Sequence, residues 1–290
     1  QIRRPWSLIG AGAAISGCRM IRDSYIGPGS LLVNAAAITN STLDSRPEQP
    51  ITVRNGAIIE SSILQEGTSV QNQAIVRESL LFEHSHSDDH GTVVTSLIGP
   101  NSGVSKGEAT ASFLGPFVGF HHQSLLIASY WPRGRGNIAY GANVGSNHTT
   151  RLADQECWPG EGQFFGLSCC VKFPANFAEA PYSVVATGIT TLPQKMSFPF
   201  SLITEADPGM PPLTAGLNCL LPAWNLGENY FALKRNEEKF KSRNKATKNH
   251  FDLNLFRPEI LATVRSALNR LEQVAVVQDV YLVSDIPGLG

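Results

Sequence analysis

Six of the seven histidines gather in three places: HSHSDDH (His84, His86, His90, with Asp88 and Asp89), the pair His121-His122, and His148 beside Asn147. An imidazole titrates close to neutral pH, so a histidine held at a cleft is suited to general acid–base work. Clustered histidines and aspartates are also the donor set of a divalent metal, and His84, His86 and His90 would be its ligands here. The stretch PRGRGN supplies Arg133 and Arg135 among glycines. Guanidinium groups beside approachable backbone amides suit a phosphate-bearing ligand. Asn147 and His148 would orient a substrate for the His121-His122 pair.

These residues sit inside a repeat that must position them. Ser7, Ser24, Ser41, Ser62, Ser79, Ser96 and Ser112 each open a polar–apolar phrase, commonly with a glycine, as in SLIGAG, SYIGPG and SLIGPN. The intervals are 17, 17, 21, 17, 17 and 16 residues. The long interval holds DSRPEQP (44–50), a polar, proline-bearing insertion. Within the phrase runs a period of six: Ile9, Ile15 and Ile21, then Ile26, Leu32 and Ile38, and later Leu114, Phe120 and Leu126. Ile138 and Val144 rejoin that phase, as do Val171, Phe177 and Ser183 further on.

Three hexads make one turn of three short strands, with one aliphatic side chain per hexad pointing inward. Glycine, asparagine and serine suit the corners, where the backbone is restrictive for other residues. Stacked turns pair as parallel strands roughly 4.8 Å apart, and each turn buries its inner face only against its neighbours. The expected fold is an all-β solenoid, a parallel β-helix of about ten coils over 1–203. Loops are expected to leave the coil near 44–50, 129–137 and 151–165. A linker and a helical C-terminal region follow over 204–290. There, residues 231–250 carry seven lysines and arginines, and Pro258 opens a helix with Ile260, Leu261, Val264, Leu268 and Leu271 on one stripe.

The repeat resembles the hexapeptide-repeat superfamily over roughly Ser7 to Leu202, which implies a left-handed parallel β-helix and a homotrimer. The stretch from Gly136 to Ile203 is also similar to an uncharacterised bacterial family of such proteins. APYSVVATGITTLPQK (180–195) is similar to the closing phrase of hexapeptide acyltransferases. The resemblance implies acyl transfer from acyl-CoA to a sugar or nucleotide-sugar acceptor, with no tightly bound cofactor. His121 or His122 would be the base, and Ala186, Gly188 and Lys195 would meet the coenzyme. A second reading draws on the similarity of the SxIGxG coils to the β-helix of sugar-phosphate nucleotidyltransferases. It makes the chain a non-catalytic assembly or regulatory module binding a sugar phosphate through Arg133 and Arg135. A third is a zinc site like that of the hexapeptide carbonic anhydrases, for which His86 and His122 stand two coils apart. The two histidines five residues apart that such a site uses are missing, because Leu126 and Ile127 follow the pair at that distance; a metal is therefore not expected.

Composition sets the outer bounds. Charged residues are only 16% of the chain and the formal net charge is −1, so no global field draws in nucleic acid or an anionic membrane. No apolar run reaches membrane-spanning length. Five cysteines without a CxxC pair fit reduced thiols and a cytosolic setting. The chain opens on QIRRPWSLIG, without a methionine, and stops at SDIPGLG, so a piece of a longer protein is expected.

Overall fold

The computed structural model describes residues 6–146, 156–206 and 217–286. The chain is a parallel β-solenoid of about eleven turns with three helices. This agrees with the expected solenoid of about ten coils, and the stretches 129–137 and 151–165, read as loops, also supply strands. These are Tyr130–Trp131, Cys157–Trp158 and Phe164–Phe165. Two compact units are formed: Gln1–Ile127 with Arg243–Phe251, and Ala128–Ser242 with Asp252–Gly290.

In the first unit, short strands stack into three parallel sheets. One sheet runs from Leu8–Ile9 to Phe113–Leu114, the second from Ala14–Ser16 to Gly119–Phe120, the third from Ile21–Arg22 to Leu125–Ile127. The six-residue period is the interior ladder. Ile26, Leu32, Ile38, Leu114, Phe120 and Leu126 have no solvent exposure at all. Ile9 is 54% exposed, since no described turn stacks beneath it.

The serine beat has its own cause. Each serine hydroxyl accepts the backbone N–H of the serine one turn on: Ser24 to Ser7, Ser41 to Ser24, Ser62 to Ser41, Ser79 to Ser62, Ser96 to Ser79, Ser112 to Ser96. From Ser24 on, the hydroxyls also donate to the carbonyl two residues back, as Ser41 does to Thr39 at 2.7 Å. A buried polar group must be paired, and this column pairs one inward serine on every turn after Ser7. A second column runs along a corner: Asn55 donates to Asn72 and Asn72 to Asp89, each at 2.8 Å. All three have positive φ, which asparagine and aspartate tolerate best after glycine. The 44–50 insertion is absorbed without loss of register, because Thr42 still pairs with Ile63 and Ile51 returns fully buried.

The second unit has a broader, aromatic interior. Trp131, Phe165 and Phe177 are fully buried and meet edge to face, at 5.7 Å and 6.5 Å between ring centres. Its strands end in an antiparallel pair, Leu202–Glu205 with Asn218–Leu221. Helices α1 (Trp224–Gly227), α2 (Tyr230–Arg243) and α3 (Pro258–Glu272) follow. Leu233, Leu255 and Ile260 pack on Tyr182 and Phe200, joined by Leu226 and Val264. The α3 stripe thus divides: Ile260 and Val264 are packed, while Leu261 and Leu268 are 41% and 52% exposed. Helix α2 stops at Arg243, where the polar pattern alone would carry it to His250. Residues 244–249 belong to the first unit and spend their amides there.

Candidate functional site

The outer face of the second sheet in the first unit collects the chemistry. His86 pairs with Gly103, Ser87 with Val104 and Asp88 with Ser105; the next turn places Gly119 against Gly103 and Phe120 against Val104. Ser87, Val104 and Phe120 point inward with no exposure, so alternation sends their neighbours outward. Two outer rows result. One reads His86, Gly103, Gly119; the other reads Asp88, Ser105, and then His121 directly after Phe120.

Ser105 Oγ donates a short hydrogen bond to Asp88 Oδ1, which fixes the carboxylate. The His86 imidazole lies across Gly103: a Cβ there would fall 2.1 Å from its Cε1 and Nε2. Gly103 is therefore what lets the ring lie flat. Burial pushes the His86 imidazole below its ordinary pKa, with Asp88 pulling the other way. The net direction favours the neutral ring, with one donor and one acceptor nitrogen.

His121 and His122 are both exposed, their ring centres 6.0 Å apart. His122 and Gln123 turn the corner with φ of 62° and 57°, and Ser124 Oγ donates to the His121 carbonyl at 3.1 Å. The pair therefore leaves the face at its edge, with His121 on the polar row and His122 beyond it.

The other histidines of HSHSDDH are carried apart. His84 turns a different corner and lies over Gly67, where burial lowers its pKa. His90 is exposed at the opposite end of the strand, with φ of 64°. Among the described residues, no group of three or more His, Cys, Asp or Glu is placed to hold a metal ion.

Sequence reasoning missed the buried carboxylates. The residue three before each second-sheet strand of the first unit is, in order, Ala11, Pro28, Gln49, Glu66, Glu83, Pro100 and Pro116. Glutamate in a proline slot was the available signal. Glu83 has no exposure and is wrapped by the tail segment. Its carboxylate accepts the backbone N–H of Thr247, Lys248 and Asn249 at 2.8, 3.1 and 3.0 Å, and the Asn249 amide at 2.7 Å. Burial alone would raise its pKa, but these bonds overcome that and hold it below the ordinary carboxylate value. Lys248 Nζ meets Glu66, itself 1% exposed, at 2.7 Å.

In the second unit, Glu161 takes the same step of the repeat and receives Arg135 at 2.8 Å, Arg257 at 2.5 Å and Tyr182 Oη at 2.7 Å. Burial, and then the Glu161 charge, push the Tyr182 phenol up to about 12. Arg135 also donates to the Asp252 carbonyl, so this guanidinium is committed internally; Arg133 is exposed. Gly188 turns with φ of 74° and open space around it, Ala186 is half-buried and Lys195 exposed. Asn147 and His148 lie outside the described residues.

Comparison with known proteins adds membership without chemistry. The family described as "Domain of unknown function (DUF4954)" matches residues 2–275. An uncharacterized protein of Treponema pallidum (strain Nichols) is 31% identical over 264 residues, covering 90% of this chain and 35% of that protein. The chain thus corresponds to about a third of that relative's length.

Proposed function

This chain belongs to the DUF4954 family, and we propose that it carries a transferase site of hexapeptide-repeat type on the outer face of the second sheet. His121 or His122 takes the proton of an acceptor hydroxyl or amine as the acyl group leaves an acyl-CoA thioester. The new ester or amide forms, the carbon–sulfur bond breaks, and the proton passes to the departing thiolate. A sugar or nucleotide sugar is the acceptor, and the cytosol is the setting.

The observation that supports this is the polar row Asp88, Ser105, His121 beside the bare Gly119. It sets a hydrogen-bonded carboxylate and a histidine along one flat surface. For the alternative of a module binding a sugar phosphate, Arg133 is the exposed arginine, because Arg135 is held by Glu161 and the Asp252 carbonyl. Self-association as a homotrimer fits the outward row of the first sheet. Leu8, Tyr25, Thr42, Ile63, Leu80, Leu97 and Phe113 lie in register there, and all but Thr42 are apolar.

The test is thiol release from acetyl-CoA in the presence of nucleotide sugars. Replacing both histidines by alanine lowers the rate by about 100-fold or more while the fold is kept. Absence of calorimetric binding at millimolar acetyl-CoA, with folded protein, overturns the reading.

A further inference from the structure

We infer that the exposed face of helix α2 docks on an anionic lipid bilayer, lying along its surface and setting Phe231 into the headgroup layer. This goes beyond the transferase reading and does not depend on it.

The helix has two unlike faces. Leu233 and Glu237 are its buried residues. Leu233 belongs to the cluster of Tyr182, Phe200, Leu255 and Ile260. Glu237 accepts from Lys234, Lys241 and the backbone N–H of Leu255, so its charge is spent within the protein. The opposite face is exposed at Phe231, Arg235, Glu238, Lys239 and Ser242. Phe231, Arg235 and Lys239 are spaced by four residues, so they follow one another along that face. Lys234 and Lys241 border it, their side chains 39% and 46% exposed. Four cations thus stand against Glu237 and Glu238. The formal net charge of −1 for the whole chain averages this local excess away.

Phe231 decides the partner, because it is 77% exposed. Its neighbour Tyr230 stacks on Phe256 at 6.4 Å, and Phe256 meets the buried Phe200 at the same distance. The start of the helix is therefore anchored to the core, while the Phe231 ring stands in solvent. An acidic protein segment or a nucleic-acid duplex would pair the cations and leave that ring in water. A bilayer carries its anionic layer over hydrocarbon and answers both. Each lysine or arginine near such a surface strengthens binding about fivefold, and an aromatic ring leaving water adds about tenfold. Long basic side chains reach the phosphates while the ring points inward. The helix stays on the surface: none of the described helices is long and apolar enough to cross a membrane.

The probe is co-sedimentation of the full chain with vesicles of phosphatidylcholine, alone or mixed three to one with phosphatidylserine. Binding is expected to the mixed vesicles only, and it weakens as salt is raised. The double variant Arg235→Gln, Lys239→Gln binds about 25-fold more weakly, and Phe231→Ala about tenfold more weakly. These positions are exposed, and circular dichroism checks that the fold is kept. In Phe231→Trp, indole emission shifts to the blue on binding and is quenched by brominated lipid. A folded chain that stays in solution with the mixed vesicles at low salt overturns the inference. Binding that neither variant weakens, or that leaves the Phe231→Trp emission unshifted, overturns it as well. Single-stranded polyuridylate offers charges and base faces together, so tighter binding to it assigns the face to nucleic acid instead.

Discussion

Glu83 in the first unit and Glu161 in the second stand at the same step of the repeat, three residues before a strand, and both are buried. Glu83 is answered by three backbone N–H groups and one side-chain amide of residues 247–249, whereas Glu161 is answered by two arginines and a tyrosine. The backbone solution asks a loop to hold one shape and hardly constrains which residues form it. The side-chain solution names its partners, because only guanidinium groups supply fixed, charged donors there. One carboxylate therefore orders a segment, while the other is locked into a set of three side chains.

That contrast can be broken in order of expected effect. Glu161→Ala leaves buried Arg135 without its carboxylate and Arg257 with only Glu259, at 3.9 Å, and should cost about 3–5 kcal/mol in chemical unfolding. A loss below about 1 kcal/mol would show that the arginines find other partners and would erase the difference. Glu83→Gln removes the charge from the amide nest while keeping its size, and should cost about 1.5–3 kcal/mol. Hydrogen exchange should quicken at Thr247, Lys248 and Asn249; unchanged protection there means the nest does not order the loop.

The third effect is a dependence on pH. The folded Glu83 carboxyl lies below its ordinary value, so its contribution is present above the unfolded pKa and lost as pH falls through the folded one. The gap in melting temperature between the native chain and Glu83→Gln should therefore be widest near neutrality and shrink on acidification. Glu237, depressed by Lys241 and Lys234 against its burial, changes both proteins alike and cancels in the comparison. A gap that stays constant with pH would show that charge is not what the nest recognises.

Little of this site was legible beforehand, and the reasons are specific. His121 and His122 were visible as residue types, but the place of His121 depends on Asp88 pairing with Ser105, seventeen residues on, and on Val104 and Phe120, the residues before Ser105 and His121, pairing across the next turn. A strand pairing brings such residues together, and no local motif marks it. Arg135 read as an open anion contact because its partner, Glu161, is distant in sequence and Arg257 more so. HSHSDDH offered a metal-ligand set as a weaker alternative because it is compact in sequence, yet alternation and two corners carry His84, His86 and His90 apart.

The sequence by itself determined the solenoid. Its 17-residue beat is a buried hydrogen-bonded serine column and its six-residue beat an interior ladder, and both are local demands repeated on every turn. The insertion at 44–50 and the helix at Pro258 were equally local and equally readable. Only the tertiary structure decided where helix α2 ends, which glutamates are buried, and which histidine faces which carboxylate. Those outcomes depend on groups that meet across turns or across the tail, where a favourable contact is set by three-dimensional register and leaves no period in the sequence.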